Sequence, residues 1–330
     1  MTHPIAEHVT ELNLDKIPSG EVRRYQLEVM RDPLSTPVCI PVMVARGARP
    51  GPVFGVTAAV HGNEVNGIPI IQRLFAELDL TRLSGTVVGV PVVSVFAFAA
   101  ATRTFFEGFD LNRIMPGRAD GNVGQVYAHR ILERLVKHFN YLVDVHTASF
   151  GRVNSLYVRA DLRHATSRRM ALLQAPEIIV HNEAKDGTLR DAAMEMGIAA
   201  ITVEVGDPLR FQRRMIKDSL YGLRAILHEF GLLGAAPEES EDEEPTIVCS
   251  SSAWIHADAG GLLEVLPNTA DTVEAGQTVA LLRNPFGDVV ETYRAPHAGI
   301  VVGKSTNPVC RTGSRVLHLG VPTDPSSFDP

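Results

Sequence analysis

The 330-residue sequence predicts an α/β fold, a sheet covered by helices on both faces, followed by a small all-β, barrel-like domain. Three observations carry this expectation. From residue 51 the apolar runs "VFGVTAAV", "TVVGVPVV", "YLVDV", "EIIV" and "AAITVEV" are continuous, as strands buried on both faces are. Helical patterns lie between them: Ile68, Ile71, Leu74, Phe75 and Leu78 recur at helical spacing, as do Ile131, Leu132, Leu135, Val136 and Phe139. Beyond an acidic stretch, the texture changes to short strands broken by Gly and Pro.

Taken in order, residues 1–50 contain the strand-like runs "RRYQLEVM" and "VCIPVMVA" and read as strands and loop packing on the main domain. Residues 51–233 form that main domain, which closes on a helical pattern from about Phe211 to Phe230. The stretch "GAAPEESEDEEPT", residues 234–246, holds six carboxylates, two prolines and no large apolar residue, the composition of a solvated linker. Residues 247–330 follow as the β module, through "GGLLEVL", "QTVALLR", "VVETYRAP", "GIVVG" and "SRVLHLG".

Composition narrows the function classes. With 45% hydrophobic and 21% charged residues, the chain has the profile of a soluble globular protein with a sizeable core. A net charge of −7 argues against nucleic acid or an anionic membrane as partner. No apolar run reaches the roughly 18–20 residues of a membrane span. The N-terminal "MTHPIAEHVTELNLDK" is too polar for a signal peptide. Three dispersed cysteines without a CxxC suggest neither a disulfide framework nor a thiolate metal site, so a cytoplasmic setting is expected.

The chemistry gathers at strand ends, just beyond which ligands bind in open α/β sheets. "VTAAVHGNEVNG" stops a core strand on His61 and puts Glu64 three residues later. A helical turn after Val60 would aim both side chains at one point, and Gly62 permits a sharp turn or a close backbone approach. "YLVDV" delivers His146, and "AAITVEV" delivers Glu204. Two imidazoles and a carboxylate make a common catalytic zinc set with the fourth position open for water, and a second carboxylate suits a general base. The same residues also fit plainer roles: a strand-end His bonded to backbone, or Glu204 paired with a buried Arg. A second cluster, "ATRTFFEGFDLNRIMPG", sets Arg103, Asp110, Asn112 and Arg113 among Phe105, Phe106, Phe109, Leu111 and Ile114, an apolar setting for a loop. Arginine forks there suit a carboxylate or a developing oxyanion.

"HGNE", "DLNR", "DVHTAS" and "VEVG" occur in the order and rough spacing of the succinylglutamate desuccinylase/aspartoacylase family, and the resemblance covers residues 51–230. It implies the mixed sheet of the zinc carboxypeptidase-like fold for the main domain. It also implies His61, Glu64 and His146 as ligands of one zinc ion per chain, and Glu204 as the base that activates water. Arg103 would polarise the scissile carbonyl, and Asn112 and Arg113 would clamp a substrate carboxylate. Arg190, in "GTLRD", resembles a further substrate-binding arginine, and Asp110 would accept the spare N–H of His61. The tail resembles a biotinyl/lipoyl-like barrel but lacks the modified-lysine motif of carriers; Lys304 is its sole lysine. A capping role, or assembly into a homo-oligomer, fits that module better. His181, at the end of "EIIV", is a candidate pocket residue; Trp254 reads as packing, and His297 and His318 simply fall within the β module.

The expected activity is zinc-dependent hydrolysis of an N-acylated amino acid or a related small amide. A metallocarboxypeptidase acting on peptides and a non-catalytic binding protein on the same fold are the alternatives. The Glu at 204 weighs against the binder, since binding alone needs no base.

Overall fold

The computed structural model describes residues 6–149, 151–183, 185–236 and 245–328. Most of the acidic stretch therefore lies outside the described residues. One long mixed sheet organises the fold. Its strands run in the order Glu7–Val9, Glu21–Arg31, Pro37–Arg46, Ser84–Val90, Arg49–Ala58, Tyr141–His146, Ala199–Val205, Leu156–Ala160, Ile178–His181, Ile247–His256, Arg315–Pro322, Gly299–Ser305 and Thr272–Val273. The centre of the sheet, from Ser84–Val90 to Ala199–Val205, is parallel. The strands predicted before residue 50 extend it: Pro37–Arg46 pairs antiparallel with Ser84–Val90.

Helices cover both faces, and the strand alternation sorts side chains between them. On one face Val143, Val145, Ile201 and Val203 pack against Ile70, Ile71 and Leu74 of the Gly67–Glu77 helix and Leu223, Ile226 and Leu227 of the Arg213–Glu229 helix. On the other face Leu142 and Ala200 meet Tyr127, Ala128 and Ile131 of the Val123–Arg134 helix and Leu189 and Ala192 of the Leu189–Glu195 helix. The Val123–Arg134 helix starts at a reciprocal cap, with Gln125 N 3.0 Å from Asn122 Oδ1 and Asn122 N 3.1 Å from Gln125 Oε1. Among the described residues, no helix is long and apolar enough to cross a membrane.

The C-terminal module has its own antiparallel sheet, ordered Val289–Arg294, Thr278–Arg283, Gly261–Val265 and Val309–Cys310, and its own core around Leu263, Val279, Leu282 and Val316. It is also joined to the main sheet in two places. Ile247–Cys249 pairs parallel with Ile178–Val180. A short strand, Arg152–Asn154, crosses over from the main domain and pairs with Gly303–Ser305. The second join brings module residues to the ends of the central strands.

Candidate functional site

Three adjacent parallel strands bring the chemistry to one edge. The register pairs Thr57 with Asp144, Thr202 with Asp144, and Glu204 with His146, so all three carboxyl ends finish at one level. Past the first strand the chain turns abruptly. Ala59 takes a left-handed φ of 50°, pinned by Ser94 N on its carbonyl at 3.0 Å. That conformation costs a non-glycine residue roughly 1–2 kcal/mol. The next turn closes from Glu64 N to His61 O at 3.1 Å. Gly62 is required there, because a Cβ would stand 2.0 Å from the Ala97 carbonyl oxygen.

His61, Glu64 and His146 converge, one ligand atom from each lying within 4.8 Å of the others, and all three are buried. His146 Nδ1 is 2.8 Å from Glu64 Oε2. His61 Nδ1 is 2.9 Å from Glu64 Oε1, but out of line for a hydrogen bond, and is otherwise without a partner. The two atoms lie side by side, as ligands aimed at a common point do. The outer nitrogens are both committed: His61 Nε2 to Asp110 Oδ1 at 3.0 Å, and His146 Nε2 to Asp144 Oδ2 at 2.8 Å. A carboxylate on the outer nitrogen fixes the tautomer that presents Nδ1 inward. The donor set therefore fits a divalent metal of zinc type.

The charges in the cluster are set by one another. Burial opposes ionisation of Glu64, yet the two imidazoles hold its carboxyl well below the usual range. Burial likewise opposes the charge on Asp110, which the His61 hydrogen bond and the Arg103 guanidinium keep ionised. Burial disfavours charge on His146, but Asp144 and Glu64 outweigh it and raise its pKa well above the ordinary imidazole value. Glu204 moves the other way: burial raises its pKa and Glu64 adds to this, against the pull of His146, Arg159 and Arg103. Its Oε2 accepts from Asn154 Nδ2 at 3.1 Å.

The other residues singled out in the sequence divide. Arg103 joins the cluster: Nη1 donates to Glu64 Oε1 at 3.2 Å and to Ser149 Oγ at 2.5 Å, while Nη2 is 2.9 Å from Asp110. Asn112 sits beside His146, with its Oδ1 taken by Leu189 N at 2.8 Å. Arg113 lies at the rim, its side chain 49% exposed and 3.4 Å from Asp186. Arg190, expected as a substrate contact, lies inside the fold. It is 2% exposed, and its guanidinium donates to the side chain and carbonyl of Asn182, with no carboxylate partner among the described residues. His181 accepts from Leu162 N at 3.1 Å and stacks near Phe328, so its ring is occupied away from the cluster.

Several residues were not singled out in the sequence. Asp144 had a usable signal, since alternation puts Asp144 and His146 of "DVH" on one face of the strand. Asn154, Arg152, Arg159 and Arg315 had none, because sheet pairing brings them together. A cavity of about 690 Å³ lies elsewhere, lined in part by Glu11, Asp15, Arg46 and His138. Its Arg46 is occupied by the carbonyls of Leu14, Asp15 and Ile17, and it holds no comparable cluster.

Comparison with known proteins places the chain in a family. The profile of the succinylglutamate desuccinylase/aspartoacylase catalytic domain matches residues 50–230. The chain is 28% identical over 282 residues to the N-alpha-acetyl-L-2,4-diaminobutyric acid deacetylase of Halomonas elongata, covering 81% of each chain. Its fold is that of the product-bound ectoine utilization protein EutE (DoeB) of Ruegeria pomeroyi, with a TM-score of 0.82, 24% identity and 93% and 98% of the two chains covered. The fold is likewise that of a succinylglutamate desuccinylase/aspartoacylase of Rhodobacter sphaeroides, with a TM-score of 0.84, 20% identity and 96% and 100% covered. With more than half of its length matched by that profile, the chain belongs to the succinylglutamate desuccinylase/aspartoacylase family.

Proposed function

We propose that the protein is a zinc-dependent amidohydrolase that removes the acyl group from an N-acylated amino acid or a related small amide. The observation that carries this reading is the convergence of His61, Glu64 and His146 within 4.8 Å, beside Glu204 on the adjoining strand. Kinship with a deacetylase of an N-acetylated amino acid supports the same reaction class.

His61, Glu64 and His146 would hold one zinc ion, with Asp110 and Asp144 fixing the imidazole tautomers. Zinc supplies a Lewis acid there, bringing the pKa of a water toward ~7 and withdrawing charge from a carbonyl. Glu204 takes the proton from the attacking water. It returns that proton to the amine nitrogen as the C–N bond breaks, so the carboxyl ends as it began. A raised pKa suits both transfers, because a base poised closer to neutrality also serves as the acid. Arg103, braced by Glu64 and Asp110, donates to the oxygen that gains charge. Asn112 and Arg113 read the carboxylate of the amino acid at the rim.

The test is amine release from a panel of N-acetyl and N-succinyl amino acids by zinc-loaded protein, before and after chelation. Chelation should abolish release and zinc restore it. No release from any acyl amino acid would overturn the reading; release from peptides alone would make the protein a carboxypeptidase.

A further inference from the structure

Two helices on one face of the sheet begin in the same unusual way. Asn66 stands at the N-cap of the Gly67–Glu77 helix and Gln212 at that of the Arg213–Glu229 helix, and neither side chain caps its own helix. Asparagine is among the residues that cap best, by accepting from a backbone N–H of the first turn. Here the two residues are bonded to each other instead. Asn66 Nδ2 donates to Gln212 Oε1 at 3.0 Å, and Gln212 N donates to Asn66 Oδ1 at 3.1 Å. Asn66 is fully buried, and its Nδ2 also donates to the carbonyl of Val205 at 2.8 Å. All three bonds run to the chain that follows Glu204.

That chain turns sharply at Gly206, whose φ is 69°. Gln212 fills the inside of the turn, because a Cβ at 206 would overlap Gln212 Oε1 and Met215 Sδ. Oε1 also accepts from Asp207 N at 2.6 Å, and Gln212 Nε2 donates to Asp207 Oδ2 at 3.2 Å. Two backbone bonds tie the same segments. Leu209 N donates to Asn63 O at 2.9 Å, and Ala148 N to Gly206 O at 2.8 Å. Asn63 and Asn66 bracket Glu64, Ala148 follows His146 by two residues, and Val205 and Gly206 follow Glu204 directly. The two side-chain amides therefore join the end of the base strand to the turn that carries His61 and Glu64. A polar network whose donors and acceptors are matched in this way rigidifies one arrangement.

We propose that Asn66 and Gln212 are positioning residues, a clamp that fixes the Glu204 end of its strand against the His61–Glu64 turn and so sets where the base meets the attacking water. Neither is among the proposed ligands. The effect on rate rests on the hydrolytic reading of the cluster; the hold on the strand end rests on the hydrogen bonds alone.

Gln212→Ala and Asn66→Ala should each lower kcat roughly tenfold or more, with KM within about threefold and zinc content unchanged, since a misplacement of about 1 Å can cost about 10²-fold. In a Glu204→Gln background the same substitutions should change the residual rate by less than about threefold, because the group they position is gone. Equal losses in both backgrounds would overturn the proposal. Gln212→Glu keeps the length and the Oε1 acceptor but sets two carboxylates together. Adding Asp207→Asn reverses donor and acceptor and should restore kcat to within about threefold; no recovery would overturn the clamp. Amide hydrogen exchange reads the hold without hydrolysis. The Asp207 and Leu209 amides should exchange at least about tenfold faster in Gln212→Ala than in wild type. That result upholds the clamp even where no acyl amino acid is cleaved, and unchanged exchange overturns it. Wild-type kcat in Glu204→Gln would remove Glu204 as the base, a failure of the hydrolytic reading, and exchange would still decide the clamp.

Discussion

Asn154 holds Glu204: its Nδ2 lies 3.1 Å from Oε2 of the carboxylate, and Oε1 has no partner among the described residues. Asn154 is in turn backed by the C-terminal module. It pairs with Gly303, where an added Cβ would stand 2.4 Å from Asn154 Oδ1. The module thus reaches the proposed base through one amide.

Asn154→Ala should lower kcat roughly tenfold or more, since a hydrogen bond to a charged group contributes about 1.5–3 kcal/mol. KM and zinc content should stay near wild type, because Asn154 bonds to none of the proposed ligands. Gly303→Ala, on the other domain, should reproduce the loss by displacing the same amide. An unchanged kcat in both variants would show that Glu204 needs no such support.

The metal prediction is stoichiometric. Protein purified without chelator should carry one zinc per chain, and His146→Ala should lose it, as measured by elemental analysis. Retention of full zinc by that variant would remove His146 from the site.

The outer carboxylates are a separate test. Asp144 Oδ2 accepts from His146 Nε2 at 2.8 Å, and Asp144 Oδ1 accepts from Thr57 Oγ1 at 2.6 Å, so its position is fixed from two sides. Asp144→Asn should weaken zinc binding about 10- to 100-fold, read by competition with a chromogenic chelator. Unaltered affinity would mean that His146 keeps its orientation without the carboxylate.

Much of the arrangement was legible in the sequence for a physical reason. Strands buried on both faces must be continuously apolar, so the interruptions at His61, His146 and Glu204 stood out. Their convergence followed because parallel neighbours end at one level. The burial of Arg190 was not legible, because "GTLRD" says nothing of it, whereas the Leu189–Glu195 helix turns the side chain inward to Asn182. Trp254 read as packing, but its ring carries Arg152 and Arg315. That grouping depends on Ser305 pairing with Arg152 across some 150 residues of chain, a relationship without any local pattern.

For the proposed base, Glu204→Gln keeps size and hydrogen bonding but cannot take a proton. Loss of a general base typically costs ~10²–10⁴-fold in rate, and kcat should fall by that much with zinc retained. More than about a tenth of wild-type kcat would point to another base.

Arg113 is the sharpest test of how the rim reads substrate. Its guanidinium stands 3.4 Å from Asp186, half exposed, and Nη1 also reaches the Asn112 carbonyl at 3.2 Å. An incoming carboxylate would compete with Asp186 for the fork, so only part of its hydrogen-bonding capacity is already used. Lysine at 113 would keep the charge and lose the planar fork. A charged hydrogen bond contributes about 1.5–3 kcal/mol, so Arg113→Lys should lower kcat/KM by roughly 10- to 150-fold. The loss should vanish on a substrate whose α-carboxylate is replaced by an amide, which offers no anion to hold. Measuring both proteins on both substrates isolates the pairwise contribution. Equal losses on the two substrates would mean that Arg113 braces the loop through Asp186 and Asn112 and does not read the carboxylate.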